Sequence, residues 1–533
     1  MTGKHPVFLR EATGVVRSIS SLDALITTVA VTSIGFGAAT MFAFVPFLWP
    51  GANQALSLIL ILPFLLIHSL LFWILSWSMP RSGGDYVWTG RILHPALGTS
   101  LNLTWVVYDA LFMGSLANYM ISYAVYSVFV STGVITQNFG LIDWAQSIFT
   151  NPFWIAVLGT LLLVYATILM IRGVTQYLKQ QLVLWIIGMI GTIVAIVLLL
   201  GATPAQYAVA FDSAMSHYTT YQSIIDSAKS TGFTWAPSLS ATFAAMAFAY
   251  LVNIGYQFSG YFAGELKRVQ KSMLTSTMGN NILSTFFYAL FAWAFVRAVG
   301  DNWLHSLSYL AYAQPSAYKI PIIPNPFFLA TLLTNNLTVA SIINIALIAW
   351  GIMIIPSNWL AYSRVILAMG FDRVLPTKMA DVSDRFHTPV VAILFIALIS
   401  WLGLIASLYY GIIFANMNFT LVYTIALAIG GLTGALFPFV RKPMYEKSPI
   451  ARYKIGGLPL ITIVGVITFF FFTYLAYAAG LNPAVGGPTT PYALTTALLA
   501  FILAGALYYA SRAYHKAKDG IDISLAFREV PPE

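Results

Sequence analysis

Two short glycine-containing segments interrupt long apolar stretches of the sequence. The first, residues 32–38, reads Thr-Ser-Ile-Gly-Phe-Gly-Ala, and the second, residues 253–260, reads Asn-Ile-Gly-Tyr-Gln-Phe-Ser-Gly. An interior glycine costs a helix about 1 kcal/mol relative to alanine, so both segments are expected to interrupt a helix. An interruption frees backbone amides that suit a carboxylate and carbonyls that suit an ammonium group. The sequence therefore predicts a site for a zwitterion between two broken helices.

The two segments resemble each other, which favours a shared role. Ser33-Ile34-Gly35-Phe36 and Asn253-Ile254-Gly255-Tyr256 both read small polar, Ile, Gly, aromatic. Five predicted spans separate them, so the second copy is expected to lie inverted in the membrane, with both breaks near the midplane. The alternative is that the glycines only allow close packing of helices.

Ionisable residues within apolar segments are candidates for coupling or gating. Asp109 follows Gly98 by eleven residues, about 16 Å into a hydrocarbon core of roughly 30 Å. It could carry a proton, pair with a cationic substrate, or make a structural hydrogen bond with Asn118 or Tyr108. Asp23 lies near the start of the first span, where it suits a helix N-terminus or, alternatively, a gate ion pair.

Other polar residues give weaker indications. Ser357 and Asn358 could supply oxygen ligands to an ion or a water molecule, or make ordinary interhelical hydrogen bonds. The chain has no cysteine, and its seven histidines show no metal-ligand spacing: His5, His68, His94, His217, His305, His387 and His515. We therefore expect no metal, no cofactor and no enzymatic activity.

The composition indicates a membrane protein. Of the 533 residues, 59% are hydrophobic and 8% are charged, and the mean hydropathy is +0.81. The surface of a water-soluble chain of this length could not tolerate these values, so lipid is the expected solvent. Neither a cleavable signal peptide nor an ATP-binding loop of the Gly-x4-Gly-Lys-Ser/Thr type is recognisable, which disfavours an ATP-driven pump.

Segments of about 20 apolar residues recur along the chain and predict about twelve transmembrane helices. They are Leu22–Phe47, Ala55–Trp77, Gly98–Ser131, Phe153–Ile171, Leu182–Leu200, Ser240–Ala263, Ser276–Val296, Phe327–Met353 continuing to about Met369, Val390–Tyr409, Ile412–Val440, Leu460–Ala479 and Tyr492–Ala513.

The distribution of basic residues predicts the orientation. The net charge is +9, but all of the 26 Lys and Arg except Lys229, Arg297 and Lys319 fall on one side of these spans. The bias places both termini in the cytoplasm of a multi-pass plasma-membrane protein and leaves no basic patch for nucleic acid. Two long loops, 201–237 and 298–326, face outward, either capping an outer vestibule or lying flexible in solvent.

Four motifs resemble the amino acid permeases of the amino acid-polyamine-organocation superfamily, in the family's order. They are Gly35-Phe36-Gly37 in the first span, Pro80-Arg81-Ser82-Gly83-Gly84-Asp85-Tyr86 after the second, Gly255-Tyr256-Gln257 with Gly264-Glu265-Leu266-Lys267 around the sixth, and Tyr362-Ser363-Arg364 at the end of the eighth.

The resemblance implies an all-α, leucine-transporter-type fold with broken first and sixth helices and two inverted five-helix repeats plus two additional helices. It implies a cytoplasmic N-tail (1–17), the first repeat (18–200), an extracellular loop (201–239), the second repeat (240–440), a cytoplasmic loop (441–457), two additional helices (458–514) and a cytoplasmic C-tail (515–533).

The resemblance also implies roles for site residues. The backbone of Phe36, Gly37 and Ala38 would bind a substrate carboxylate, and Ser33 and Gly35 would belong to the same substrate-binding segment. The carbonyls near Leu251, Asn253 and Ile254 would bind its amine, beside Gly255, and Tyr256 would line the pocket. Gln257 stands where many members have a carboxylate, and Gly188 where some proton-coupled members have a lysine.

The implied function is secondary active transport of an amino acid or a related organic cation by alternating access, with H⁺ or Na⁺ as possible coupling ions. The alternatives are exchange of amino acids or polyamines without ion coupling and a nutrient sensor of the same fold. An ion channel is a further class, disfavoured because a channel does not need paired broken helices. The expected partners are a small-molecule amino acid and the lipid bilayer, and the oligomeric state is left open.

Overall fold

The computed structural model describes residues 17–410, 419–481 and 491–528. Residues 1–16 of the expected N-tail, the beginning of the span expected from Ile412, and residues 529–533 of the expected C-tail lie outside the described residues. Within them the chain is almost entirely helical.

The first half of the chain contains eleven α-helices among the described residues. They are α1 (Ser21–Thr32), α2 (Ile34–Leu48), α3 (Gln54–Ser78), α4 (Asp85–Ile92), α5 (Pro95–Tyr119), α6 (Tyr126–Ile135), α7 (Phe139–Phe149), α8 (Pro152–Ile171), α9 (Val174–Gly201), α10 (Pro204–Met215) and α11 (Tyr221–Ser230). A π-helical segment, Met120–Val125, joins α5 to α6.

The second half continues with helices and one small hairpin. The helices are α12 (Leu239–Ala244), α13 (Met246–Asn253), α14 (Val269–Val299), α15 (Asp301–Ala313), α16 (Pro326–Thr331), α17 (Leu337–Phe371), α18 (Val390–Tyr410), α19 (Phe419–Val440), α20 (Lys442–Glu446), α21 (Leu460–Leu481) and α22 (Pro491–Lys518). Short 3₁₀ helices are Tyr256–Gly260, Ala263–Glu265, Thr377–Ala380 and Ile523–Arg528, and strands β1 (Lys454–Ile455) and β2 (Leu458–Pro459) pair antiparallel.

Ten helical segments of the described residues are long and apolar enough to cross a membrane. Two of the twelve expected spans are not among them. The segment Gly98–Ser131 is helical, but polar residues such as Asn102, Asp109 and Asn118 lower its hydropathy. The segment Ser240–Ala263 is divided into short helices, of which Leu239–Asn253 is apolar. The layout with twelve spans stays a prediction.

Both interrupted segments lie in the centre of the helical packing. The helix α1 packs against α14, α17 and α9, and α13 packs against α3 and α2. Every residue of α2 from Ile34 to Ala39 is buried. Polar backbone groups exposed by an interruption here must find partners inside the protein.

The long loops predicted to face outward are folded and packed, so the flexible alternative is wrong for them. The first contains α10 and α11, and the second contains α15. The rings of Tyr221 and Trp303 stack at 5.4 Å between centroids, and those of Phe233 and Tyr309 at 4.6 Å. These aromatic contacts join the two loops into one cap.

Candidate functional site

The first interruption lies at Ser33, two residues before the first glycine of the motif. The helix α1 ends at Thr32 and α2 begins at Ile34, and Ser33 between them has φ 49° and ψ 77°. A left-handed conformation costs a residue with a side chain roughly 1–2 kcal/mol. Surrounding contacts must hold it, and the Ser33 hydroxyl donates to the Trp350 carbonyl at 3.1 Å.

This position corrects the prediction for two of the amides expected to bind a carboxylate, those of Gly37 and Ala38. The Gly37 amide donates to the Ser33 carbonyl at 2.8 Å, and Ala38 lies deeper in the same helix. Both amides therefore belong to the regular hydrogen bonding of α2 and are not available to a ligand. Because the first amides of a helix have no partner within it, those of Ile34–Phe36 are the amides at this break that helical hydrogen bonding leaves free.

The second interruption lies at Ile254 and Gly255, within the predicted segment. The helix α13 ends at Asn253, Ile254 is extended, and Gly255 has φ 121°. A Cβ added to Gly255 would lie 2.2 Å from Cγ1 of Val31, so both conformation and space require glycine. The carbonyl of Leu251, which was expected to face an amine, accepts the Ile254 amide at 3.3 Å.

A single tyrosine hydroxyl joins the two interruptions. The Tyr288 Oη lies 2.6 Å from the Thr32 carbonyl oxygen and 2.9 Å from the Val252 carbonyl oxygen. It also lies 3.4 Å from the Ser33 carbonyl oxygen. A hydroxyl has one proton to donate, so these carbonyls share one donor. The two breaks are therefore close neighbours, because carbonyls beside each of them lie within hydrogen-bonding distance of the same hydroxyl.

At both glycines of the first segment, neighbouring side chains pack so closely on the backbone that no Cβ would fit. A Cβ at Gly35 would lie 2.1 Å from Cδ1 of Trp350, and one at Gly37 would lie 2.3 Å from the Tyr288 hydroxyl. Gly188 faces the same indole, with Trp350 Cε2 2.7 Å from its added Cβ. The packing alternative thus describes Gly35 and Gly37, and the indole fills the space beside Gly188.

The residues after the second break are held by buried hydrogen bonds. The Tyr256 hydroxyl is hydrogen-bonded to His68 Nδ1. The Gln257 amide nitrogen donates to the Tyr423 hydroxyl at 2.7 Å, and its oxygen accepts from the Gly255 amide at 3.3 Å. Gln257 therefore links the break to α19, a role that an acidic side chain could not reproduce with the same donor.

Phe36 lies against two tyrosines of the α5–α6 region. Its ring centroid is 5.5 Å from that of Tyr119 and 6.4 Å from that of Tyr123, and the two tyrosines stack at 4.4 Å. Tyr123 donates to the Pro324 carbonyl at 2.9 Å. These rings form an aromatic wall next to the first amides of α2.

Asp109 is buried and does not bond to either residue expected as its structural partner. Its carboxyl interacts with the Tyr362 hydroxyl, and its Oδ2 has no hydrogen-bond partner within the described residues. Asn118 donates to Ser407 at 3.0 Å, and Tyr108 interacts with a threonine of α22. The position of Asp109 leaves its functional roles open.

Asp23 caps α1. Its carboxylate accepts from the Ser20 amide at 3.0 Å and from the Ser20 hydroxyl at 2.6 Å, and Ser20 Oγ accepts from the Asp23 amide at 3.2 Å. This reciprocal arrangement is a capping box. It is the helix-terminus alternative of the two weighed for Asp23.

Ser357 and Asn358 are engaged in hydrogen bonds between and within helices. Ser357 Oγ accepts from Tyr177 at 2.8 Å. The Asn358 amide nitrogen donates to the Ile354 carbonyl at 2.9 Å, and its oxygen accepts from Tyr362 at 2.8 Å. These contacts match the structural alternative for both residues.

Two buried ion pairs were missed by the sequence analysis. Arg364 binds Glu265 through Nε at 2.6 Å and Nη2 at 3.0 Å. The Arg91 Nη2 lies 3.0 Å from both carboxylate oxygens of Asp372, which also accepts from Tyr86 at 3.0 Å. Glu265 and Arg364 belong to motifs recognised in the sequence, but sequence spacing did not indicate that they meet.

No cluster of three His, Asp or Glu suited to a metal ion occurs among the described residues. A family model of amino acid permeases matches residues 29–519. No curated protein matches the chain.

Proposed function

The chain belongs to the amino acid permease family, and from this premise we propose that it carries an amino acid across the membrane at a site between the Ser33 and Gly255 breaks. The family and the apolar helices make it a multi-pass membrane protein. The proximity of the two breaks through Tyr288 is the observation that carries the proposal.

The backbone groups at the breaks suit the two charged ends of an amino acid. The amides of Ile34–Phe36 form the start of α2, where the helix dipole favours a carboxylate. The carbonyls of Thr32 and Val252 suit an ammonium group, which would compete there with the Tyr288 hydroxyl. Uncharged backbone groups bind both ends of the substrate without a counter-ion that would need its own desolvation.

Transport by alternating access requires a closure that can open on one side of the site. The Ile19 amide donates to the Glu265 carbonyl at 3.0 Å, and the Lys267 amide donates to the Ile19 carbonyl at 3.0 Å. These bonds tie the segment before α1 to the segment after the second break, and Arg364 ties the latter to α17. We propose that this closure lies on the cytoplasmic side and opens to release substrate.

The wider architecture is part of the same proposal. Residues 18–200 and 240–440 form the inverted repeats, residues 458–514 form the additional helices, and the termini lie in the cytoplasm. The one-sided distribution of Lys and Arg supports this orientation in a plasma membrane.

The test is substrate exchange by the purified chain in proteoliposomes. Each standard amino acid is offered in counterflow, first without a gradient and then with a pH or a sodium gradient. We expect saturable exchange with at least one amino acid. Its carboxamide and its deaminated acid should compete at least about tenfold more weakly, because each lacks one end recognised at the breaks. Absence of exchange with every amino acid, or equal competition by either analogue, would contradict the proposal.

A further inference from the structure

Two aspartates lie in a buried cluster of tyrosines beside the second break. The cluster is formed by residues of several elements: Asp85 of α4, Asp109 of α5, Tyr250 of α13, Gln257 and Tyr261 after the break, Tyr362 of α17 and Tyr423 of α19. Each has 2% or less of its surface exposed. We call it the carboxyl–tyrosine cluster.

The indole of Trp105 holds the cluster together. Its ring centroid lies 5.0 Å from that of Tyr261, 5.7 Å from that of Tyr362 and 5.1 Å from that of Tyr423. The three hydroxyls therefore come from rings packed on one side chain, which fixes their relative positions.

Within the described residues, neither aspartate has a cation to neutralise it. Asp85 and Asp109 are in no ion pair of the described residues, whereas the buried Glu265 and Asp372 are each paired with an arginine. Asp85 Oδ1 and Asp109 Oδ2 also have no hydrogen-bond partner there. A buried carboxylate without a counter-charge is very unfavourable, so each group must take up a proton or a cation.

A hydrogen-bonded chain of hydroxyls begins at Asp85. Asp85 interacts with the Tyr261 hydroxyl, which lies 3.2 Å from the Tyr423 hydroxyl. Asp109 interacts with the Tyr362 hydroxyl, and the rings of Tyr362 and Tyr423 pack on the same indole. Both carboxyls therefore lie in one buried cluster, and Tyr423 is the end of the chain that starts at Asp85.

An independent observation points to the same place. The Tyr250 hydroxyl is buried, interacts with the Gln257 side chain, and lies close enough to Asp85 to be affected by its charge. A second tyrosine hydroxyl therefore lies between Gln257 and the charge that forms when Asp85 loses its proton.

Gln257 joins the cluster to the break. Its amide nitrogen donates to the Tyr423 hydroxyl and its oxygen accepts from the Gly255 amide. A change in the hydrogen bonding of Tyr423 must therefore be accommodated by Gln257, and through it by the backbone at Gly255.

We propose that Asp85 and Asp109 are two proton-binding carboxyls of one buried cluster, and that Gln257, through its hydrogen bond with Tyr423, couples the protonation of Asp85 to the second break. This inference rests on the proposed transport function. Each carboxylate binds one proton from solution by forming an O–H bond, and the same O–H bond breaks when that proton leaves. The coupling ion is the proton, and no other reactant is needed.

Other titratable groups near the two carboxyls are accounted for. On α17, Arg364 is paired with Glu265. On α4, Tyr86 and Arg91 bind Asp372. Further helices pack on α5. The titratable residue of α8 is Tyr165, which is bonded to Gln180. On α22 the first titratable side chain described is Tyr508, which lies beside His94. Within α18 the only such residues are tyrosines at its final turn.

Asp85 lies outside the spanning helices, and its titration is near neutral pH. Burial raises the pKa of Asp85 to about 7, against the opposing effect of its hydrogen bond with Tyr261. Below this pH the group is neutral, and as the pH rises through it the carboxylate forms. At a pH between the ordinary pKa and the raised one, the unfolded chain has released this proton and the folded chain still holds it. The free energy of unfolding therefore falls as the pH rises across this range.

The experiment compares exchange with accumulation in the same proteoliposomes, using the amino acid with the highest counterflow. For one coupled proton, a gradient of one pH unit can drive about tenfold accumulation. We expect the native chain to accumulate substrate when the outside is acidic. Asp85→Asn and Asp109→Asn should exchange substrate but not accumulate it, and Tyr423→Phe should reduce accumulation. Asp143→Asn, which changes an exposed carboxylate, is the matched control and should accumulate like the native chain.

The outcomes separate this inference from the proposed function. Exchange by the native chain without pH-driven accumulation, accumulation driven only by sodium, or pH-driven accumulation by both aspartate variants would overturn the proton site and leave the transport function standing. Absence of exchange would overturn the transport function itself.

A second measurement does not depend on transport. The unfolding midpoint of the purified native chain in detergent should fall between pH 5 and pH 8, and this fall should be smaller in Asp85→Asn. An identical pH profile in Asp85→Asn and the native chain would overturn the role of Asp85 even if the variant were poorly active.

Discussion

Replacing Tyr288 by phenylalanine removes the one hydroxyl shared by the two breaks. The ring remains, so the packing against Gly37 is retained and no large cavity is created. What is lost is the donor to the carbonyls of Thr32 and Val252, which lie 2.6 and 2.9 Å from it. Both carbonyls are at helix ends within the protein interior.

The expected loss of stability follows from those distances. One hydrogen bond disappears and a buried acceptor loses its donor, which costs about 1–3 kcal/mol. A bound substrate would supply an ammonium group to the same carbonyls and offset part of the loss. We therefore expect Tyr288→Phe to bind substrate more tightly than the native chain, by up to about tenfold if the offset reaches 1.4 kcal/mol.

The assay is the unfolding midpoint in detergent, measured with and without the preferred amino acid. Tyr288→Phe should unfold at a lower temperature than the native chain and show a larger stabilisation by substrate. Tyr177→Phe is the control, because Tyr177 is also buried and donates to Ser357 at 2.8 Å, away from both breaks. It should lose stability without a change in the substrate effect. If the two variants respond alike to substrate, Tyr288 does not share carbonyls with the substrate ammonium.

Three further substitutions test the contacts around the site. Gly255→Ala should abolish exchange and lower stability, because its Cβ would overlap a valine of α1 and its φ is 121°. Gly430→Ala is the control: nothing lies within 4 Å of its added Cβ, so it should behave like the native chain in the same two assays. Glu265→Gln should destabilise the protein by about 3–5 kcal/mol in equilibrium unfolding, since it leaves the Arg364 guanidinium buried without its counter-charge, and a loss below about 1 kcal/mol would contradict this. Asp23→Ala should cost about 1 kcal/mol through the lost capping box and leave substrate affinity unchanged, so a large fall in affinity would instead favour the gate alternative.

The sequence located the second break better than the first. In the second segment, Gly255 itself adopts the positive φ that an L-residue avoids, so glycine was a direct marker. In the first, the left-handed residue is Ser33, and the glycines that follow accommodate Trp350 and the Tyr288 hydroxyl. A glycine required by a tertiary contact cannot be distinguished from one required by its backbone until the neighbour is known.

The same limit applies to polar residues within the apolar segments. The depth of Asp109 in its span was predicted from the rise of a helix, and in the fold its side chain is buried among other helices. Its neighbour Tyr362 is on α17, more than 200 positions along the chain. Local patterning reports which face of a helix is apolar, but the partner on another helix depends on how the helices pack.

The four buried carboxyls of the described residues illustrate what this packing decides. In the sequence, Asp85 and Glu265 both belong to motifs between predicted spans, and nothing in their spacing separates them. In the fold, Glu265 and Asp372 each face an arginine, so their negative charge is neutralised within the protein. Asp85 and Asp109 face hydroxyls, which can stabilise either protonation state but cannot supply a positive charge. The first two can therefore hold helices together without exchanging protons, whereas no cation of the described residues neutralises the second two, so they are the groups that we propose to bind protons.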